Sequence, residues 1–348
     1  MNRDDLQAAV ASAAPVLGED LSGADLAGVD LSGAIFERTS FRGANLAGAR
    51  LHESVFSECA FEGARLGGAR LRHGTWDRCT FLAAELREAD LTAASLIQCD
   101  LSRASLDGAN LTIASLVKAR LEETSLIGAN LDRAALVEVE APRVILEGAR
   151  MLQTVLLDAD LTTARLRGAR LERAMLMKVR LNGQDLSGME LTLSQLMDAD
   201  LRGCDLRGAK LTQANFKGAK LEGARLDEAD LERALFIEAD LGSASLVKAK
   251  LTQALFVKAR LDGATLEGAI AYQAIFTGAS CVATAFQGAD LTYADFSHAR
   301  LEKANFEGCT LFRARFHRTH EEGTRFTDRS AALGDDEELV EAERYSET

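Results

Sequence analysis

The chain has 348 residues, a formal net charge of −13 at pH 7, 5% aromatic residues and two prolines, Pro15 and Pro142. No run reaches the roughly 18 apolar residues of a membrane-spanning helix, and six cysteines without paired spacing read as reduced thiols, not as a disulfide framework. A membrane span and a disulfide scaffold are therefore not expected, and the fixed recurrence of Leu, Ala and Gly calls for a repeat test.

In chain order, residues 3–17 read as a short helix whose Leu6, Val10 and Ala13 cover the first turn of the adjoining segment. The alanine-rich stretch from Leu6 to Leu17 invites a secretory reading, but it is short and weakly apolar and comes after Asp4 and Asp5. A cytoplasmic location is expected instead.

From Leu21 a large apolar residue recurs every five positions, through Leu26, Leu31, Phe36 and Phe41, in one unbroken register to Phe316. Of these 60 centres 55 are Leu or Phe, the exceptions being Trp76, Ala141, Met151, Ala271 and Cys281. Two residues before each centre stands a residue that is alanine in 41 cases, such as Ala24, Ala44 and Ala109. A period of five fits neither a helix at 3.6 nor a strand at 2, so the chain must turn a corner at every repeat. Four corners close a 20-residue coil with one large and one small side chain inward per side, and stacking buries what a single coil could not. The centres of every fourth side support this closure: Phe36, Phe56 and Trp76, then Leu96 to Leu196, then Phe216 to Phe316, like stacked on like.

Segments such as Ala24-Asp25-Leu26-Ala27-Gly28 and Ala229-Asp230-Leu231-Glu232-Arg233 resemble the pentapeptide-repeat family, with its A-[DN]-L-x-x consensus. The resemblance covers residues 19–318 and implies an all-β chain, a right-handed quadrilateral β-helix of about 15 coils. At the ~4.8 Å spacing of neighbouring strands these would stack to ~70 Å. The expected organisation is a helical cap over 1–18, the β-helix over 19–318, and a tail over 319–348. From 317 onward that tail carries ten acids against four arginines, and after Phe326 it reads as largely disordered or as a frayed acidic helix. Around Val137 to Ile145 the centre shrinks to Ala141 while Val139 and Val144 grow, and Pro142 occupies a position where a missing donor must be tolerable. A second weak zone has Ala271 and Cys281 as centres, with Tyr272 just outside.

Candidate chemistry has a plainer reading throughout. Cys59, Cys79, Cys99, Cys204 and Cys309 fall in the small inward slot and Cys281 is a centre, which makes them core thiols. His317 and His320 with Cys309 and Glu321 suggest a metal site only loosely, since they lack a second ligand dyad. His52, His73 and His298 stand on outward positions of different coils. No catalytic residue, metal, cofactor or small-molecule substrate is expected, and a filled rod offers no cleft.

The expected function is a non-catalytic scaffold or adaptor that binds a protein partner, not a nucleic acid or a membrane. A further resemblance, to long pentapeptide-repeat proteins that accompany bacterial secretion cargo such as that of type VI systems, places this expectation in context. The alternative is a DNA mimic that binds or protects a type II topoisomerase, as some members of the family do. The charge pattern opposes it: residues 1–20 contribute −3 and 317–348 contribute −6, leaving −4 for the repeats, where acids and bases are interspersed.

The expected binding surface comes from outward residues beside the fourth-side centres. Immediately after them run Ile97, Val117, Val137, Leu157, Met177, Met197, Lys217, Ile237 and Val257, eight apolar in nine. In the same coils the other sides offer few apolar residues at this position, such as Ile127, Leu152 and Val247. Before the same centres stand Val155, Met175, Leu235, Leu255 and Ile275. An apolar surface of this extent reads as an interface, for a second copy of the chain or for another protein.

Overall fold

The structure is a computed structural model that describes residues 3–346, with the side chains of 5–343. The chain divides into two compact units, Met1–Arg180 and Leu181–Thr348. Both are parallel β-solenoids, about 16 turns among the described residues.

The first unit opens with helix α1 (Arg3–Ala11). Leu6 is fully buried, as expected of a cap, but Val10 is only half-buried and Ala13 is exposed with φ 54°, so it ends the helix and does not cover the coil. The solenoid begins one side earlier than the expected boundary, because β1 (Val16–Leu17) pairs in parallel with β2 (Ile35–Glu37) and places Val16 beside Phe36. The same side continues as β3 (Val55–Ser57), β4 (Thr75–Asp77), β5 (Ser95–Ile97), β6 (Ser115–Val117), β7 (Ala135–Val137) and β8 (Val155–Leu157), an in-order parallel sheet of eight strands.

The other sides hold together through single bridges between equivalent positions of successive coils, such as Asp25 with Asn45 and Asp30 with Arg50. A side is built the same way each time. The centre's amide donates to the next coil (Leu26 to the Asn45 carbonyl, 2.7 Å), as does the amide two residues on (Gly28 to Ala47, 2.9 Å). The third residue on donates back to the centre (Val29 to Leu26, 3.1 Å), which closes a β-turn. Only the amide immediately after the centre is left out of this ladder. That is the position of Pro142, whose ring therefore removes no bond, while Val139 and Val144 stay buried beside Ala141.

The free amide explains the consensus acid. Where Asp or Asn precedes the centre, its Oδ1 accepts that amide, as in Ser22 to Asp20 at 3.0 Å, Thr92 to Asp90 at 3.1 Å and Thr162 to Asp160 at 3.0 Å. The hydrogen bond from Ser32, with help from Arg50, brings the Asp30 carboxyl down to about 2.

The small inward slot also has a rule. A hydroxyl or thiol there donates to the carbonyl of a centre in the preceding coil: Ser54 to Leu31 at 2.8 Å, Thr124 to Leu101 at 2.8 Å, Cys79 to Phe56 at 3.5 Å. Polar substitutes for alanine are thus buried without losing their hydrogen bond. Gly74 fits its slot because a Cβ there would lie 2.9 Å from the Trp76 indole nitrogen.

The second unit repeats this plan. Phe216, Phe236, Phe256 and Phe276 stack with centroids 4.8 Å apart. Near its end β9 (Asn305–Phe306) pairs with β10 (Arg325–Phe326), and helix α2 (Glu337–Ser346) comes last. The tail expected to be largely disordered is here in part a continuation of the ladder. Arg313 donates to the Ala331 carbonyl at 2.7 Å, Phe316 and Leu333 exchange bonds with the neighbouring coil, and Arg329 stands over the rings of Phe316 and Phe326. The reason is the unused edge of the last full coil, whose backbone groups need partners whatever the composition of the segment that supplies them. Residues 347 and 348 lie outside the described residues.

This geometry has two measurable consequences. The corner residue two after nearly every centre is left-handed, and at Ile113 (φ 60°, exposed) a β-branched side chain occupies that strained conformation. Ile113→Asn is expected to stabilise the protein by about 1 kcal/mol, read as a rise in the chemical-denaturation midpoint. Burial raises the thiols of Cys204 and Cys309 to about 11 and raises Cys281 as well. Native protein should then resist maleimide labelling at neutral pH, and these groups should cost stability as pH climbs above the free-thiol value toward about 11, because the unfolded chain ionises first.

Candidate functional site

In the first unit the pairing of β5 to β8 sets Ile97, Val117, Val137 and Leu157 in one file on the outer face of the sheet. A bridge from Val155 to Met175, with the Asp158 amide donating to the Met177 carbonyl at 3.2 Å, continues the file with Met175 and Met177. Ile97 and Met175 are 37% and 40% exposed, while Val117, Val137, Val155, Leu157 and Met177 are half-buried. The expected surface is thus present but lower in relief than a row of free side chains. At ~4.8 Å per coil each residue leans on the one above, and four steps give ~19 Å.

In the second unit Leu235, Leu255 and Ile275 are joined by successive bridges, and the Gly218 and Glu238 amides donate to the carbonyls of Ile237 and Val257. These residues and Met197 are all half-buried, and the exposed Lys217 interrupts the row.

One feature was not foreseen from the sequence. Tyr272, Tyr293 and Phe312 form an exposed edge-to-face ladder, with centroids 5.9 and 5.6 Å apart and Phe312 half exposed. Their spacing, one position more than a coil and then one fewer, was the available signal. Beside them Ile275, Tyr293, Arg313, Arg315 and Leu333 line an open groove of about 380 Å³.

The remaining candidates are dispersed. All six cysteines are free, five of them buried. His320 is exposed, and the buried His317 turns away from it toward the tail helix. On the flat sides charges of opposite sign often face each other across neighbouring coils, as in Arg50–Asp30 at 2.5 Å, Arg180–Asp160 at 3.0 Å, Lys210–Glu190 at 2.6 Å and Arg315–Asp295 at 3.6 Å. Such exposed pairs add little stability individually, but they neutralise much of the acidic surface. No described helix is long and apolar enough to cross a membrane.

The family model for pentapeptide repeats matches residues 20–72 and 84–328 in overlapping segments. Among solved structures, HetL, a pentapeptide repeat protein involved in heterocyst differentiation regulation in the cyanobacterium Nostoc, is 23% identical over 96% of this chain and 99% of its own, with a TM-score of 0.22. QnrB1, a plasmid-mediated fluoroquinolone resistance protein, is 18% identical over 64% of this chain and 95% of its own, with a TM-score of 0.27. A pentapeptide repeat protein of the Arabidopsis thaliana thylakoid lumen is 36% identical over 34% of this chain and 68% of its own, with a TM-score of 0.16. No curated protein matches significantly. With the consensus repeat, the 20-residue coil and the family model in agreement over most of its length, the chain belongs to the pentapeptide-repeat family.

Proposed function

We propose that this protein is a non-catalytic interaction scaffold that seats a protein partner on the apolar outer face beside the fourth-side centres. The observation that carries this reading is the file Ile97, Val117, Val137, Leu157 and Met177, outward on a flat parallel sheet whose neighbouring sides carry charge. Nothing in the coil requires apolar residues there, since the same outward position is Glu37, Ser57 and Asp77 on β2 to β4. Flat β surface with methionines at one end suits a protein contact, where adaptable side chains fill an irregular counter-surface.

The duplex-mimicking alternative is the weaker. A surrogate for DNA needs unneutralised negative charge along its length, whereas the acids here face arginines one coil away, as in Arg42–Glu62 at 3.1 Å and Arg260–Asp240 at 2.5 Å. In a supercoiling assay the protein is expected neither to inhibit gyrase nor to protect it from quinolone at micromolar concentration. Either effect would reinstate the alternative.

The scaffold reading is tested by changing Val117, Val137, Leu157 and Met177 together to Ser or Lys. Melting temperature should move little, because all four point outward, while recovery of the partner in a pull-down, or mass by light scattering if the partner is a second copy, should fall by at least tenfold. Unchanged assembly and unchanged partner recovery would remove this surface as the functional one.

A further inference from the structure

We propose that His298, His317 and Glu343 form a divalent transition-metal site, suited to zinc, that pins α2 to the end of the second unit. His317 stands one position short of a full coil beyond His298, and the His298 amide donates to the His317 carbonyl at 2.8 Å, so their rings belong to neighbouring coils and meet edge to face at 5.5 Å. Helix α2 delivers Glu343, whose Oε1 lies 3.1 Å from His298 Nε2 and 3.5 Å from His317 Nε2. One ligand atom from each of the three residues falls within 4.8 Å of the others. Tetrahedral zinc with bonds of about 2.0–2.1 Å sets its ligands about 3.3 Å apart, a spacing that the two measured edges bracket.

Two independent features make this more than a chance grouping. His317 is fully buried, and its Nε2, aimed at the cluster, has no hydrogen bond that meets ordinary geometry. A buried nitrogen left in this way calls for a partner. In addition, none of the described side chains of α2, those of residues 337–343, is buried. Its anchorage runs through Glu343, whose Oε2 is paired with Arg318 at 2.8 Å while Oε1 faces both rings.

The Asp336 amide donates to His317 Nδ1 at 3.1 Å, which keeps the ring proton on Nε2 in the metal-free arrangement. Ligation through Nε2 requires the ring proton on Nδ1, so the Asp336 amide must release that nitrogen, and Asp335 Oδ1, 3.8 Å away, is the carboxylate placed to take over the contact. Two imidazoles, one carboxylate and a water complete four-coordination. The site shares no residue with the apolar surface of the scaffold reading, and the two proposals succeed or fail separately.

The test uses the untagged full-length chain, titrated with Zn²⁺ by calorimetry and with Co²⁺ by visible absorption, with Mg²⁺ as the control. The expected result is one equivalent of Zn²⁺ at micromolar affinity or better, a tetrahedral Co²⁺ spectrum, a melting temperature raised by several degrees and slower proteolysis of the tail. His317→Ala endangers folding, so His298→Ala, at a side chain 43% exposed, and Glu343→Gln carry the comparison. Each should weaken Zn²⁺ binding by more than about tenfold without lowering the metal-free melting temperature appreciably. Zn²⁺ binding that is equally strong in His298→Ala, or absent from the unaltered protein at millimolar metal, would overturn the site and leave the cluster as an ion-paired helix clamp.

Discussion

A coil must close after four repeats so that each backbone group meets its counterpart in the next coil, and this requirement sets the other features of the solenoid. The amides of the centre and of the residue two further on point one way along the stack, and the amide just before the centre points the other. Once this ladder is set, the side chain at any position lies over its equivalent in the neighbouring coil. Aromatic rings therefore stack at 4.8 Å, as Phe216 does on Phe236, and hydroxyls and thiols in the small slot, such as Ser54 and Cys79, reach the equivalent carbonyl of the preceding coil.

The same closure imposes a cost at every corner. Glycine removes it at Gly28, but the corner also holds Ile113 and Leu193, whose side chains gain nothing from a left-handed backbone. Because the ladder bonds on both sides of each corner are already formed, local strain of this size is tolerated without disturbing the register. It is the opposite of an active site, where strain is retained for chemistry.

What remains free to vary is the outer surface, and there the periodicity acts as an amplifier. A single choice of residue type at one outward position becomes a stripe when it recurs once per coil. On the charged sides this produces arginine and carboxylate pairs, and beside the fourth-side centres it produces an apolar file. A solenoid of this kind recognises partners by extended surface, not by a pocket. At the end of the stack the repetition stops and the unused backbone edge takes up Ala331 and Leu333, which brings α2 within reach of His298 and His317.

The repeat, the inward and outward assignment, the inward placing of the cysteines and the outward placing of the apolar file were all legible in the sequence, because each depends only on phase within the repeat and within the coil. Ile97 and Val117 could be placed in one file before any coordinate was known. The sequence could not reveal how far neighbours shield one another, which leaves Val117 and Val137 half-buried where free exposure was expected. It also could not show that the acidic tail folds back, since composition measures a segment's own capacity to bury surface and not the pairing groups that an adjacent coil leaves open. Glu343 is far along the chain from His298 and shares no period with it. Only the tertiary fold decided that their side chains meet, because the helix that carries one is positioned by the end of the ladder that carries the other.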